Sequence, residues 1–309
     1  MKQVTNTVLM VRPDYFGFNP ETAKTNPFQH THIESSQSIT HTAGVEFSNM
    51  AKLLRSKGIQ VFDITSNKNV VTPDAVFPNN WLSSHIVGDK NVLITYPMLT
   101  PNRRAERQVD VVIGILKRNN IEVDEIIDLS YLEDENLVLE GTGSMVFDRE
   151  HKIVYAALSP RTSQQALELF SKKLGYTPIS FHAKDHVGLE LYHLNMMMNM
   201  GEKYVVWCPE AVPDVEQRNQ LHASFVETKK YQIKLTPDQL IHMCANTIEL
   251  ANDTGKRFIV MSQRAQMHLT QKQHEEFSMF GELVSVDIPT IEHIGGGSAR
   301  CMVAELFYK

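Results

Sequence analysis

A chain of 309 residues, 42% hydrophobic and 21% charged, has the composition of an ordinary soluble globular protein and is long enough to bury a substantial core. Its formal net charge of −6, with no polybasic run, argues against a nucleic-acid partner, and no apolar stretch approaches the ~18 residues of a membrane span. Three cysteines, Cys208, Cys244 and Cys301, cannot all pair and form no CxxC, and residues 1–10 lack the apolar segment of a secretory signal; a reducing, cytoplasmic setting with free thiols is expected.

In chain order, strand patterns lie at 8–11 and 59–64, with a helical pattern at 44–57 that puts Val45, Phe47, Met50, Leu53 and Leu54 on one side. Residues 13–42 are polar and carry Pro, Gly, Asn and His without periodicity, which predicts a long loop of the lid or substrate-covering kind. His30 and His32 fall within it; with no HExxH and no cysteine ligand pair, no metal site is expected. The densest basic cluster, Arg103-Arg104 with Arg107, is interrupted by Glu106 on an apparent helix.

From residue 88 onward a pattern repeats. A turn, a basic residue and a short apolar run recur at Lys90, Lys152, Lys203 and Arg257, roughly every fifty to sixty residues. Each run is preceded across the turn by another strand, and is followed by a helix (102–118, 163–173, 215–229, 270–280) and a further strand (126–129, 179–181, 233–235, 283–288). The pieces at 301–307 and 8–64 supply the same parts from the two ends. Five such units predict an α/β ring with pseudo-fivefold symmetry, strands toward the axis and helices outside, rather than an open doubly wound sheet, which has single strands between helices. Cys208 and Cys244 lie in apolar patterns and are assigned to the core.

Polar residues at strand ends then become site candidates. Asn79-Asn80 precede the first hairpin, Glu140 abuts the glycine turn Gly141-Thr142-Gly143, and His193 and Asn195 lie two apart, which on a strand gives them one face. Gly295-Gly296-Gly297 lets the backbone approach a ligand before Cys301, at the mouth of the last apolar strand. Singly, each has a plain structural alternative: turn asparagines, a solvated Glu, a satisfied core His, a buried small Cys. Together they occupy equivalent places in successive units.

These motifs, Glu140-Gly141, His193-Leu194-Asn195 and the glycine turn ending in Cys301-Met302, resemble those of the guanidine-modifying superfamily of arginine deiminases, dimethylarginine dimethylaminohydrolases and amidinotransferases. That resemblance spans residues 8–307, and Phe77-Pro78-Asn79-Asn80-Trp81 with Val11-Arg12-Pro13 is similar to the amidinotransferase-like, citrulline-utilisation branch. It implies a single catalytic domain of the pentein fold, a five-bladed α/β propeller, with Cys301 as nucleophile, His193 as general acid and base, and Glu140 as the carboxylate that holds substrate nitrogens. It implies no cofactor. Arg161, in an Arg-Thr segment of the family kind, and more weakly Arg12, are candidates for a substrate carboxylate, which Arg binds in a bidentate manner.

Two positions depart from the arginine-processing pattern. Asn80 and Asn195 stand where those members have aspartates, and an ion-assisted hydrogen bond is roughly twice as strong as a neutral one. A neutral ureido group offers both a C=O and N–H groups, as Asn does, so citrulline is the expected substrate, hydrolysed to ornithine, ammonia and carbon dioxide. The competing reading is an amidinotransferase or a deiminase acting on arginine or a derivative. Gly141-Thr142-Gly143 also differs from the commoner Gly-Gly-Asp after the Glu. The expected partner is a small molecule, with neither nucleic acid nor membrane involved; a homodimer is left open.

Overall fold

A computed structural model describes residues 2–33, 35–185 and 187–309; Met1, His186 and Glu34, the last within the predicted 13–42 loop, lie outside the described residues. Its strands are β1 (Thr7–Val11), β2 (Gln60–Ile64), β3 (Leu82–Val87), β4 (Lys90–Thr95), β5 (Glu125–Asp128), β6 (Met145–Asp148), β7 (Ile153–Ala157), β8 (Thr177–Phe181), β9 (Met198–Met200), β10 (Tyr204–Trp207), β11 (Tyr231–Lys234), β12 (Ile248–Ala251), β13 (Arg257–Ser262), β14 (Glu282–Val286) and β15 (Ala304–Glu305). They form five three-stranded sheets: β15-β1-β2, β3-β4-β5, β6-β7-β8, β9-β10-β11 and β12-β13-β14. In each, the first strand runs antiparallel to the middle one and the third runs parallel to it, as in Leu9 facing Ala304 on one side and Phe62 on the other. The parallel step requires a crossover, and a helix supplies it.

First strands meet between sheets, β15 beside β3, β6 beside β9 and β9 beside β12, so they line the axis. Ala251 N–H donates to Thr5 O at 3.0 Å, tying the last sheet to the one built from both ends of the chain. The result is the expected five-bladed α/β propeller. Helices pack against the third strands, as Ser36–Ser56 does on β2 and Gln164–Leu174 on β8, and the middle strands β1 and β10 are buried at every residue, as strands covered on both faces are. Each helix contributes an apolar stripe: Phe47, Met50 and Leu54 in Ser36–Ser56, Leu167, Phe170 and Leu174 in Gln164–Leu174, Leu221 and Phe225 in Val215–Glu227. Every such side chain contributes about 1.5–3 kcal/mol when fully buried. Cys208 and Cys244 are both fully buried. Among the described residues no helix is long and apolar enough to cross a membrane.

Three boundaries differ from the sequence expectation. The first helix starts at Ser36, not near 44, because Ser35 caps it by accepting the Ser38 N–H; the polar character of its first two turns hid it. The helical stretch 102–118 is broken into Pro101–Arg104 and Val109–Arg118, which turns Arg103 inward. The strand expected at 301–307 contracts to Ala304–Glu305, since Gly295 ends a helix (Pro289–Gly295), Gly296 caps it at φ 63°, and the chain turns through Cys301.

Candidate active site

The turns that lead into the first strands carry most of the candidates to one end of the axis. Pro78 opens a single helical turn, Pro78–Asn80, which buries Asn79 and Asn80 ahead of β3. Glu140 precedes the short helix Gly141–Ser144; its N–H donates to Ser144 Oγ at 2.9 Å, and that hydroxyl donates to Arg161 O at 2.7 Å. Both glycines of this helix are required. Gly141 has φ 44°, and a Cβ there would lie 2.3 Å from Asn79 O; a Cβ on Gly143 would lie 2.3 Å from Asn80 Nδ2 and 2.8 Å from His193 Nδ1. The departure from the Gly-Gly-Asp pattern therefore makes room for an asparagine and an imidazole to converge. His193 is extended, while Asn195 belongs to the turn Leu194–Met196, so the two do not share a strand face as expected.

Glu140 is the hub. Its Oε2 lies 2.8 Å from His193 Nε2, 3.4 Å from Arg161 Nη1 and 3.9 Å from Arg103 Nη1, and its Oε1 accepts the Leu99 N–H at 3.1 Å. Burial pushes its pKa up, but Arg161, the His193 hydrogen bond and Arg103 outweigh that and hold it well below the usual carboxylate range. Burial lowers His193 more than Glu140 raises it, and Arg161 and Arg103 lower it further, to about 4. At neutral pH the imidazole is uncharged. Because an ionised carboxylate only accepts, the ring proton sits on Nε2 and the Nδ1 lone pair is free.

Arg103 stacks both nitrogens Nε and Nη2 onto Glu106 at 2.8 Å and donates Nη1 to Asn80 Oδ1 at 2.8 Å. An arginine only donates, so the oxygen of Asn80 must face it and the amide NH2 faces away, without a partner. Asn195 Oδ1 and both polar atoms of Asn79 are likewise buried and unpaired. The Cys301 sulfur is 3.4 Å from Asn195 Nδ2 and 3.3 Å from Asn246 Nδ2.

Residues 19–29 pack against this end. Asn19, Thr22 and Gln29 donate to Asp74, and Asn26 and Gln29 donate to the carbonyls of Gly295 and Gly296. Arg161 lies over the Tyr192 ring at 4.8 Å and donates to Thr22 O at 3.0 Å and to Thr25 Oγ1 at 2.7 Å. A cleft remains among Asp74, Asn80, Arg103, Arg161, Tyr192, His193 and Cys301.

Of the expected site residues, Cys301, His193, Glu140, Asn80, Asn195 and Arg161 converge here, and Asn79 lies just behind them under Gly141. Arg12 does not belong to the cluster: its side chain is exposed, 3.5 Å from Asp63 and over the Phe47 ring, because it follows β1 on the outer side of its sheet. His30 stacks on His293 outside the cleft. Arg103, Asp74 and Asn246 were missed. Arg103 with Glu106 has the i, i+3 spacing of a surface pair; Asn246 stands where the other repeats carry their site residues, a signal that repeat alignment could have found.

A cysteine flanked by amide donors, an imidazole whose free nitrogen is a base, and a carboxylate that accepts N–H groups can together attack and cleave a planar C–N centre. A family model described as N,N dimethylarginine dimethylhydrolase, eukaryotic, matches residues 12–308. No curated protein sequence matches the chain. Among solved structures, ArgZ, an arginine dihydrolase from the ornithine-ammonia cycle in cyanobacteria, superposes with a TM-score of 0.73 at 17% identity, over 98% of this chain and 41% of that one. The N-terminal domain of ArgZ with bound substrate gives 0.72 at 18% identity, over 98% of each chain, so the likeness lies in that domain. A dimethylarginine dimethylaminohydrolase, seen as an adduct with 4-chloro-2-hydroxymethylpyridine, gives 0.65 at 12% identity, over 98% of this chain and 99% of that one. With the family model spanning nearly all of it and the five-bladed ring common to these structures, the chain belongs to the N,N dimethylarginine dimethylhydrolase family, within the pentein superfamily of guanidine-modifying enzymes.

Proposed function

We propose that this protein is a cysteine-dependent hydrolase of a ureido or guanidino amino acid, with citrulline its best substrate. The observation that carries the reading is the Asn80 amide, whose oxygen is taken by Arg103 and whose NH2 is left unpaired beside the cleft. A ureido oxygen accepts from that NH2; a guanidinium, which has only donors, cannot. Asn195 Oδ1 and Glu140 then accept the ureido N–H groups, and Arg161 takes the substrate carboxylate once Thr22 and Thr25 release it. Residues 13–33 are read as the substrate cover of a single catalytic domain.

In this mechanism the Cys301 sulfur attacks the ureido carbon as His193 Nδ1 takes the thiol proton. His193 returns that proton to the side-chain nitrogen, the C–N bond breaks and ornithine leaves. Water, deprotonated by His193, then displaces the sulfur, and the carbamate released decomposes to ammonia and carbon dioxide. A second reading, arginine as substrate, is favoured by the likeness to ArgZ and by the unpaired Asn195 Oδ1, which suits a guanidinium N–H. An enzyme that hydrolyses arginine twice must also accept the ureido product of its first step, so the two readings share one site. Ornithine release from citrulline and from arginine separates them. Citrulline should be preferred, Cys301→Ala should abolish release, and Asn80→Asp should move the preference toward arginine by about tenfold or more; accumulation of citrulline from arginine, with no ornithine from citrulline, overturns the proposal.

A further inference from the structure

Four of the five turns leading into a first strand carry residues already placed at the cleft: Asn79 and Asn80 before β3, Glu140 before β6, His193 and Asn195 before β9, and Cys301 before β15. The turn before β12 carries Asn246, which is fully buried. Its Nδ2 lies 3.3 Å from Cys301 Sγ and 3.2 Å from Asn195 O. Its Oδ1 accepts the Arg300 backbone N–H at 3.0 Å. A backbone N–H can only donate, so the amide is locked with its NH2 toward the sulfur; Oδ1, at 3.7 Å from Sγ, is already occupied. Asn195 Nδ2 reaches the same sulfur at 3.4 Å, so two amides from neighbouring blades converge on one atom.

We infer that Asn246 is a catalytic residue whose side-chain amide holds the negative charge that develops on the Cys301 sulfur. The inference rests on Cys301 being the nucleophile proposed above. When the S–H bond breaks, its electron pair stays on sulfur while the proton passes to His193 in turnover, or to water in the free enzyme. A neutral thiol is a weak acceptor and a thiolate a strong one, so the N–H contact gains strength as the charge forms and favours the ionised state. That gain opposes burial, which pushes the Cys301 thiol up, and it acts alongside the backbone contact with Ser298, the Arg300 charge and the Asn195 amide. Asn246 also spans the two elements that must stay in register, since it binds the residue before the cysteine and the carbonyl of Asn195.

The test is the pH dependence of Cys301 alkylation by iodoacetamide in the whole chain, followed by mass spectrometry of the Cys301 peptide, for wild type, Asn246→Ala and Asn246→Asp. The alanine variant should move the titration midpoint up by about one unit and slow alkylation at neutral pH about tenfold. The aspartate variant keeps the volume and the acceptor for Arg300 N–H but turns a carboxylate oxygen toward the sulfur, and should shift the midpoint further in the same direction. Midpoints unmoved in both variants overturn the inference. A shift with alanine and none with aspartate assigns Asn246 to holding the Arg300 backbone, and overturns it too. Should the alanine variant fail to fold, wild type against aspartate decides alone. Alkylation needs no substrate, so an enzyme that turned over neither citrulline nor arginine would sink the proposed function while leaving this measurement decisive.

Discussion

Both ends of the propeller axis bury charge and amide groups, but they treat them differently. At the hairpin-turn end most of the charged groups meet an opposite charge, although Arg149 Nη2 and Arg257 Nη1 make no hydrogen bond. Lys230 Nζ donates to Glu202 O at 2.7 Å and sits 3.5 Å from Asp148, Arg300 Nη2 meets Glu305 at 2.8 Å, and Arg149, sandwiched by the rings of Phe147 and Phe307, approaches the same carboxylate at 3.9 Å. At the other end Asn79, Asn80 and Asn195 keep unpaired polar atoms with almost no exposure, around a carboxylate shared by two arginines and a histidine. An unmatched buried polar atom costs about 1–3 kcal/mol, and a fold tolerates several in one place where something else completes them. Ion pairs dominate the scaffold end, and unpaired side-chain amides gather around the cleft at the other.

That contrast can be broken most decisively at Glu140. Replacing it with Gln removes the charge that Arg161, Arg103 and His193 share, and turnover should fall by at least about a thousandfold, with a loss of about 3–5 kcal/mol in denaturant unfolding, the cost of breaking a buried ion pair. At the scaffold end Lys230→Met should show stability lost by about 3 kcal/mol with turnover per folded molecule unchanged. Lost activity there would mean that the two ends are coupled. A gentler probe uses pH. His193 titrates at about 4 in the folded chain against about 6.5 unfolded, so between those values the unfolded state binds the extra proton and stability falls as pH is lowered. The contribution is complete above about 6.5 and amounts to about 3 kcal/mol lost by pH 4; His193→Gln should flatten that part of the stability profile, and an unchanged profile would show that the imidazole is not held neutral.

The ring was legible in the sequence because its repeat is written in apolar runs of fixed kind, and burial on both faces leaves such a strand little choice of composition. Glu140, His193, Asn195, Asn80 and Cys301 were legible because each interrupts that pattern at the same place in its unit. What escaped was decided by tertiary contact. Arg103 reads as a surface helix residue until the break at 105–108 turns it onto Asn80 and Glu106. Asn246 sits among small residues, Ala245 and Thr247, where an asparagine in a turn attracts no notice. Arg12 erred the other way: a charged residue beside a strand end looks like a ligand until the side of the sheet is known. The helix beginning at Ser36 lacks an apolar start, so its first two turns were read as loop.

The placement of candidate site residues on every blade bears on how the protein would lose activity. Asn195 and Cys301 touch across 106 residues of sequence, and His193 and Glu140 across 53. No short fragment of the chain contains the constellation, and contacts of such long range form only after the loops between them close. Heat or denaturant should therefore abolish catalysis in the same cooperative step that opens the ring, which would make residual activity a direct count of intact rings in a partly denatured sample.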